Sequence, residues 1–402
     1  MFLAILGPGI ITANVDNDAG GITTYSLAGA QFGNALLWTL LPIGIALIVM
    51  QEMGARMGAI TGKGLADLIR ENFGVKVTFF LMVAMILVGL GNTCAEFSGV
   101  AASLEIYGIS RYISVPLGAF AVWLLVIKGS YRRVEKVFLF ACVVYLSYIL
   151  SGIMAKPDWG TVLSATVRPS FSFDGKFLAM LIALVGTSIA PWMQFYLQSA
   201  VVDKGVTRQD YKYSRLDVIV GCIGMIIVAF FIVASCSATL FANHIEVKSA
   251  ADAAEALKPL AGKYCAYLFA FGLFNASLFA ASILPLSTAY FVCEGMGWER
   301  GVDRTLGEAP QFYGLYTAII ALGAAIILWP NAPLLGVMFW SQVLNGVTLA
   351  PVLILVLLLI NRKDLMGEWV NGKIFNWIAW ITTVLMIALT LVLVFQMVLG
   401  GG

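Results

Sequence analysis

The chain has 402 residues, of which 60% are hydrophobic and only 11% charged, and its mean hydropathy is +0.92. That balance lies far outside soluble globular averages and predicts an integral membrane protein that crosses the bilayer many times. A formal net charge of +2 is too small to bring in nucleic acid. The lipid bilayer is the one macroscopic partner implied, with no obligate protein partner.

A spanning helix needs about 20 apolar residues, and eleven stretches meet that length closely enough to be candidates. They run over about 2–30, 35–59, 75–106, 113–128, 134–155, 175–203, 214–243, 261–296, 310–329, 332–361 and 373–398. The N-terminus has no basic leader or small-residue cleavage site, so no cleaved signal peptide is expected. The six cysteines fall in or beside apolar stretches without a C-x-x-C pair, and read as small packing residues. With the N-terminus cytoplasmic, the inner loops hold 17 of the 24 Lys and Arg residues. This bias predicts a cytoplasmic N-terminus and, with eleven spans, an extracytoplasmic C-terminus, in a plasma (inner) membrane.

The first and sixth stretches are interrupted in the same way. "NVDNDAGGITT" (14–24) puts Asp16, Asp18, Gly20 and Gly21 in the middle of an apolar run. The Gly pair is expected to unwind the helix there. "VGTSIAPWMQ" (185–194) sets Gly186, Thr187 and Ser188 before Pro191, which breaks one helix and starts the next. An ordinary kink explains either break alone. Two matching breaks five spans apart predict an all-α polytopic protein with a LeuT-like inverted repeat of five plus five helices and a site between the broken spans. The single transporter domain, 1–402, then divides into a first repeat at 1–156, a second at 175–362 and an added eleventh helix at 373–398.

A carboxylate near a helix centre is costly and usually functional or paired. No Lys or Arg is expected mid-span to pair with Asp18, so a bound cation is the natural counter-charge. Backbone carbonyls at both breaks, with Thr187 and Ser188, would add neutral oxygen ligands. Asp16 reads equally well as a solvated helix cap.

Several segments resemble the Nramp divalent-metal transporters. These are "QEMGARMGAITGKGLADLIRENFG" (51–74), "SQVLNGVTLAPVLILVLLLINRKDLMG" (341–367) and "AGAQFG" (28–33), in the family's order. Laid back from "AGAQFG", the family's first-span D-P-G-N motif puts its Asp on Asp18, its Pro on Ala19, its Gly on Gly20 and its Asn on Gly21. The sixth-span A-x-x-M-P-H motif falls on "TSIAPW", with Ala on Thr187, Met on Ala190, Pro on Pro191 and His on Trp192. One of three side-chain ligands remains.

The departures have chemical consequences. A thioether favours softer transition metals, so Ala190 removes that selectivity. Gly21 and Ala190 are also expected to enlarge the site. Mg2+ keeps several waters beside one or two carboxylates, and the pattern is similar to the Nramp-related magnesium transporter branch. The resemblance thus implies transport of Mg2+, with Mn2+ tolerated and Ca2+ admitted, and no cofactor. The expected metal set is Asp18, Gly21, Thr187, Ala190 and Gln194, with Asp16, Ser188, Gln198, Asn345 and Thr348 as weaker candidates. Gln194 and Gln198 share a helix face at i and i+4, where helix–helix hydrogen bonding is the rival reading. Thr348 is aligned with a metal-facing Gln of the family.

Proton coupling needs titratable groups leading away from the site. The one His, His244, falls in an outer loop, and the family's third-span "D-L-A-E" matches "TCAE" (93–96), leaving Glu96 as the remaining proton-path candidate. The expectation is passive, uncoupled Mg2+ uptake by alternating access. Alternatives are a proton-coupled Mn2+/Fe2+ symporter and an amine or amino-acid transporter on the same scaffold. An intramembrane aspartyl protease is disfavoured because Asp16 and Asp18 are neighbours on one segment, and no enzyme activity is expected.

Overall fold

Apolar composition and interrupted hydrophobic runs produce a helical bundle in the computed structural model, which describes residues 7–128, 140, 146–257 and 262–399. Among the described residues there is no strand, and nine helices are long and apolar enough to cross a membrane. Two of the eleven expected spans are not among the nine. The first is split into pieces too short to qualify, and half of the fifth lies outside the described residues.

The first broken span consists of α1 (Pro8–Val15) and α2 (Ala19–Phe32), followed by α3 (Leu40–Thr61). The next helix, α4 (Leu65–Glu105), covers 41 residues, but Gly74 at φ 81° and ψ 170° interrupts it. Only a residue without Cβ takes that geometry readily. It separates a short surface helix from the third span, which starts near residue 75 as expected. Then follow α5 (Arg111–Lys128), α6 (Leu146–Met154) and α7 (Trp159–Val167). The sixth span is again two helices, α8 (Gly175–Ser188) and α9 (Pro191–Asp203). The bundle is completed by α10 (Tyr211–Cys236), α11 (Cys265–Met296), α12 (Pro310–Ile327), α13 (Leu334–Ile360) and α14 (Lys373–Leu399).

The two broken spans form the centre. Residues 177–201 are all buried, as are residues 15–30, while α5, α10 and α14 turn side chains such as Phe120, Ile223 and Trp377 outward. Lipid tails are as apolar as those side chains, so helices in a bilayer associate by close packing of small residues and not by hydrophobic burial. The crossing of α1 and α10 illustrates this. A Cβ on Gly9 would lie 2.6 Å from the Val218 nitrogen, and one on Gly221 would lie 2.7 Å from the Gly9 carbonyl oxygen.

Loop contacts define two faces. One carries Lys63, Asp67, Lys204, Arg300 and Arg362, with Arg300 paired to both Asp67 and Glu294 at 2.9 and 3.0 Å. It is called the basic face below. On the other, Trp38 donates to the Ser170 carbonyl at 3.0 Å and Gln396 to the Phe173 carbonyl at 2.8 Å. Span interiors are not free of basic side chains: Arg56, inside α3, is 8% exposed and pairs with Glu52 at 3.1 Å. Arg56 gains further partners, since it also reaches Asn371 and the Trp369 carbonyl.

Candidate functional site

The first break occupies Asp16, Asn17 and Asp18. Asp18 is the N-cap of α2: its backbone is extended (φ −72°, ψ −170°) and its Oδ1 accepts from the Gly21 N–H at 2.7 Å. Asp is among the best side chains for satisfying an orphan donor at that position. Gly20 and Gly21 lie inside the first turn of α2. The expectation that the Gly pair unwinds the span is therefore corrected, because the unwound residues are Asp16, Asn17 and Asp18. The pair serves close approach. A Cβ on Gly21 would fall on the Asp16 carbonyl oxygen and lie 3.2 Å from Thr187 Oγ1, and one on Gly20 would fall on the Gln342 amide. The space expected to be opened by Gly21 is taken by a carbonyl oxygen, itself a hard donor.

The second break has the physical cause read from the sequence. Pro191 opens α9, and Ile189 (φ −128°, ψ 60°) and Ala190 (φ −68°, ψ 142°) leave helical geometry before it. With no N–H on Pro191, the last turn of α8 presents carbonyls that lack a helical donor. Ala190 is 1% exposed and offers only a methyl group. Thr187 Oγ1 is buried and has no hydrogen-bond partner. The two breaks meet where Thr187 passes Gly21.

Glu96, on α4, enters the same place. Its Oε2 accepts from the Ala19 N–H at 3.3 Å, which sets its carboxyl beside Asp18, the residue just before that N–H. Two carboxyls in such contact hold a proton or a cation between them, because like charges that close cannot both stand uncompensated. Asp16 Oδ2, both amide atoms of Asn17 and Glu96 Oε1 are buried without partners. Among the described residues none of these carboxylates is in an ion pair, and no group of three His, Cys, Asp or Glu side chains comes together as a metal cage. A cation here would be held by one or two carboxylates and by neutral oxygens.

The family profile described as natural resistance-associated macrophage protein-like (Nramp) matches residues 9–396. The chain belongs to the Nramp family. It is 28% identical over 415 residues to a protein of Deinococcus radiodurans named divalent metal cation transporter MntH, covering 99% of this chain and 91% of that one. The manganese transporter of Eremococcus coleocola, solved with an aromatic bis-isothiourea compound, superposes with a TM-score of 0.81 at 18% identity. That match covers 98% of this chain and 86% of the other. Mhp1, a nucleobase-cation-symport-1 transporter in a closed conformation, superposes with a TM-score of 0.63 at 17% identity, covering 98% and 92%. These likenesses establish the LeuT-like fold expected from the two breaks.

Other expected residues of this Nramp chain fall at different distances from the breaks. Ser188 shares a hydrogen bond with Tyr25, oxygen to oxygen 2.8 Å. Gln194 is fully buried with both amide atoms free, whereas Gln198 donates to the Lys63 carbonyl at 2.8 Å, nearer the basic face. Asn345 exchanges 3.0 Å hydrogen bonds with Asn92 and donates to Gln342 at 2.8 Å, so it supports a neighbour of the break. Thr348 donates its hydroxyl to the Leu344 carbonyl at 2.7 Å and is only half-buried. The α13 side chain that reaches the first break is Gln342, six residues earlier on the helix.

Sequence reasoning also passed over Asn17, Tyr25, Gln51 and Asp217. Asn17 and Gln51 carried a readable signal, a polar amide inside an apolar run. Asp217 accepts from the N–H groups of Gly7 at 3.0 Å and Gly9 at 2.6 Å, capping α1 from α10. No local spacing could announce a cap from more than 200 residues away.

The residues at both breaks are buried. A cleft of about 1310 Å³ opens on the face opposite the basic one, with Leu27, Ala179, Met180, Phe339, Trp340 and His244 among its walls. Tyr25, bonded to Ser188, stands between Leu27 and Asp18 on α2, and Thr23 donates to Met338 Sδ at 3.5 Å. Toward the basic face, the Gln198 contact and the Ser199 hydroxyl, which donates to Glu294 at 2.5 Å, hold α9 against its neighbours.

Proposed function

We propose that this chain is a divalent metal cation transporter of the plasma membrane that takes up partly hydrated Mg2+, tolerates Mn2+, and is not coupled to protons. The observation that carries the reading is the donor set at the meeting of the breaks. Asp18, the Asp16 carbonyl and Thr187 are all oxygens, and Ala190 holds a buried methyl group at the position aligned with the family's thioether. Hard oxygen donors with few charges suit an ion that sheds its water reluctantly, and the absence of sulfur at that position removes the preference for softer metals. The names borne by its relatives, a divalent metal cation transporter and a manganese transporter, support the broader class.

The uncoupled mechanism is supported by what surrounds Glu96. One turn away, Thr93 stands in place of a carboxylate and spends its hydroxyl on the Gly89 carbonyl at 2.8 Å. Among the described residues the Glu96 carboxyl accepts from the Ala19 N–H and from no titratable side chain other than its neighbour Asp18, which supports a reading without an onward relay. A membrane potential suffices as a driving force: roughly 2.3 kcal/mol per charge per 100 mV, or about 4.6 kcal/mol for a divalent ion. The cytoplasmic N-terminus, extracytoplasmic C-terminus and the two five-span repeats at 1–156 and 175–362 belong to the same proposal.

The Asp18–Glu96 contact favours a second reading, in which entering metal displaces the shared proton and the chain acts as a proton-coupled Mn2+ symporter. Sealed proteoliposomes with a lumenal pH dye separate the two. The first reading predicts Mg2+ entry under a negative-inside potential with no accompanying acidification; acidification in step with metal entry overturns it.

A further inference from the structure

Three amide side chains between α3 and α9 are not explained by the site at the breaks. Gln51, Gln194 and Gln198 are 1%, 0% and 0% exposed. Both amide atoms of Gln51 and Gln194, and Oε1 of Gln198, have no hydrogen-bond partner. A buried amide left without partners loses its hydration with nothing in return, and three on one seam call for an occupant.

Their arrangement follows from helix geometry. Gln51, Gly54 and Gly58 lie at i, i+3 and i+7 and share one face of α3; Gln194 and Gln198, at i and i+4, share one face of α9. The two faces meet. A Cβ on Gly54 would lie 3.7 Å from Gln194 Oε1, and one on Gly58 would lie 2.9 Å from the Gln198 carbonyl oxygen and 3.3 Å from Gln198 Cγ. Gly54 leaves the Gln194 amide uncovered, and Gly58 lets the α3 and α9 backbones approach closely at the basic-face end. It starts beside the second break, since Gln194 is the fourth residue of α9, and runs to Lys63 at the basic face.

The geometry points to a second cation site, an amide-lined station for a hydrated divalent ion between the Asp18 site and the basic face. Amide oxygens are neutral hard acceptors that bind the ion or its water shell without the charge that would trap it, which suits a place from which the ion must leave. This inference rests on the reading that a divalent cation passes Asp18.

The test is Mn2+ binding to the full-length chain in nanodiscs, followed by loss of the free-ion electron paramagnetic resonance signal. The wild type is expected to bind two ions with different affinities, and Asp18→Ala to lose the tighter one only. In the Asp18→Ala background, Gln51→Leu weakens the remaining site at least tenfold and Gln51→Glu strengthens it at least tenfold. A gain of affinity cannot come from misfolding. One site in the wild type and none in Asp18→Ala overturns the station while leaving the Asp18 site intact. A residual site indifferent to both Gln51 variants also overturns it. No Mn2+ binding to the wild type, or equal binding by wild type and Asp18→Ala, overturns the transport reading as well.

Discussion

The Tyr25 and Ser188 hydroxyl oxygens lie 2.8 Å apart, so the two broken spans are tied to each other between the Asp18 site and the open cleft. Removing one partner leaves the other hydroxyl buried and unmatched, at a cost of about 1–3 kcal/mol to the closed state. Tyr25→Phe should therefore shift the population toward a state open to the cleft. The check is modification of Thr23→Cys by a membrane-impermeant thiol reagent, expected to be several-fold faster when Tyr25→Phe is added.

Gly21 and Gly20 should differ in their tolerance of a methyl group. A Cβ on Gly21 meets the backbone carbonyl of Asp16, which cannot move without rebuilding the break; one on Gly20 meets the end of the flexible Gln342 side chain. Gly21→Ala is expected to cut uptake at least tenfold, and Gly20→Ala to cost less, with recovery on adding Gln342→Ala. Equal losses in the two single variants would contradict this placement.

Ala190→Met puts a soft donor back at the second break. The ratio of Mn2+ to Mg2+ uptake should rise at least tenfold, through weaker Mg2+ entry as much as stronger Mn2+ entry. Competition uptake measures it directly, and an unchanged ratio would remove Ala190 from the selectivity argument.

Asp217 holds the N-terminus of α1 by accepting hydrogen bonds from the Gly9 and Gly7 N–H groups. Asp217→Ala leaves those donors unmatched and should lower stability by roughly 2–4 kcal/mol, seen as a drop in melting temperature. It should also increase labelling of Ala13→Cys from the basic face as α1 loosens from α10.

What the sequence disclosed and what it concealed follow from range. Both breaks were legible because Pro191, with no N–H, and the Asp-rich segment before Gly20 are local features whose backbone consequences do not depend on the rest of the fold. Thr348 and Gln342 sit on the same helix, and only the packing of α13 against α2 decides which one faces Gly20. The role of the Gly pair was misread for a related reason: glycine signals either an unusual backbone or a close approach, and the neighbour that distinguishes these, the Asp16 carbonyl, appears only once the chain is folded. The Gln51 seam and the Asp217 cap join segments far apart in the chain, and no local spacing shows that those segments meet.

The central claim is that Asp18, held at the first break as the cap of α2, carries Mg2+ across the membrane. The direct measurement is Mg2+ entry into sealed proteoliposomes loaded with a Mg2+-sensitive dye, comparing the wild-type chain with Asp18→Ala at equal amounts of folded protein. The account predicts entry with the wild type and loss of it in the variant. Mn2+ entry without Mg2+ entry in the wild type, or Mg2+ entry unchanged in Asp18→Ala, would contradict it.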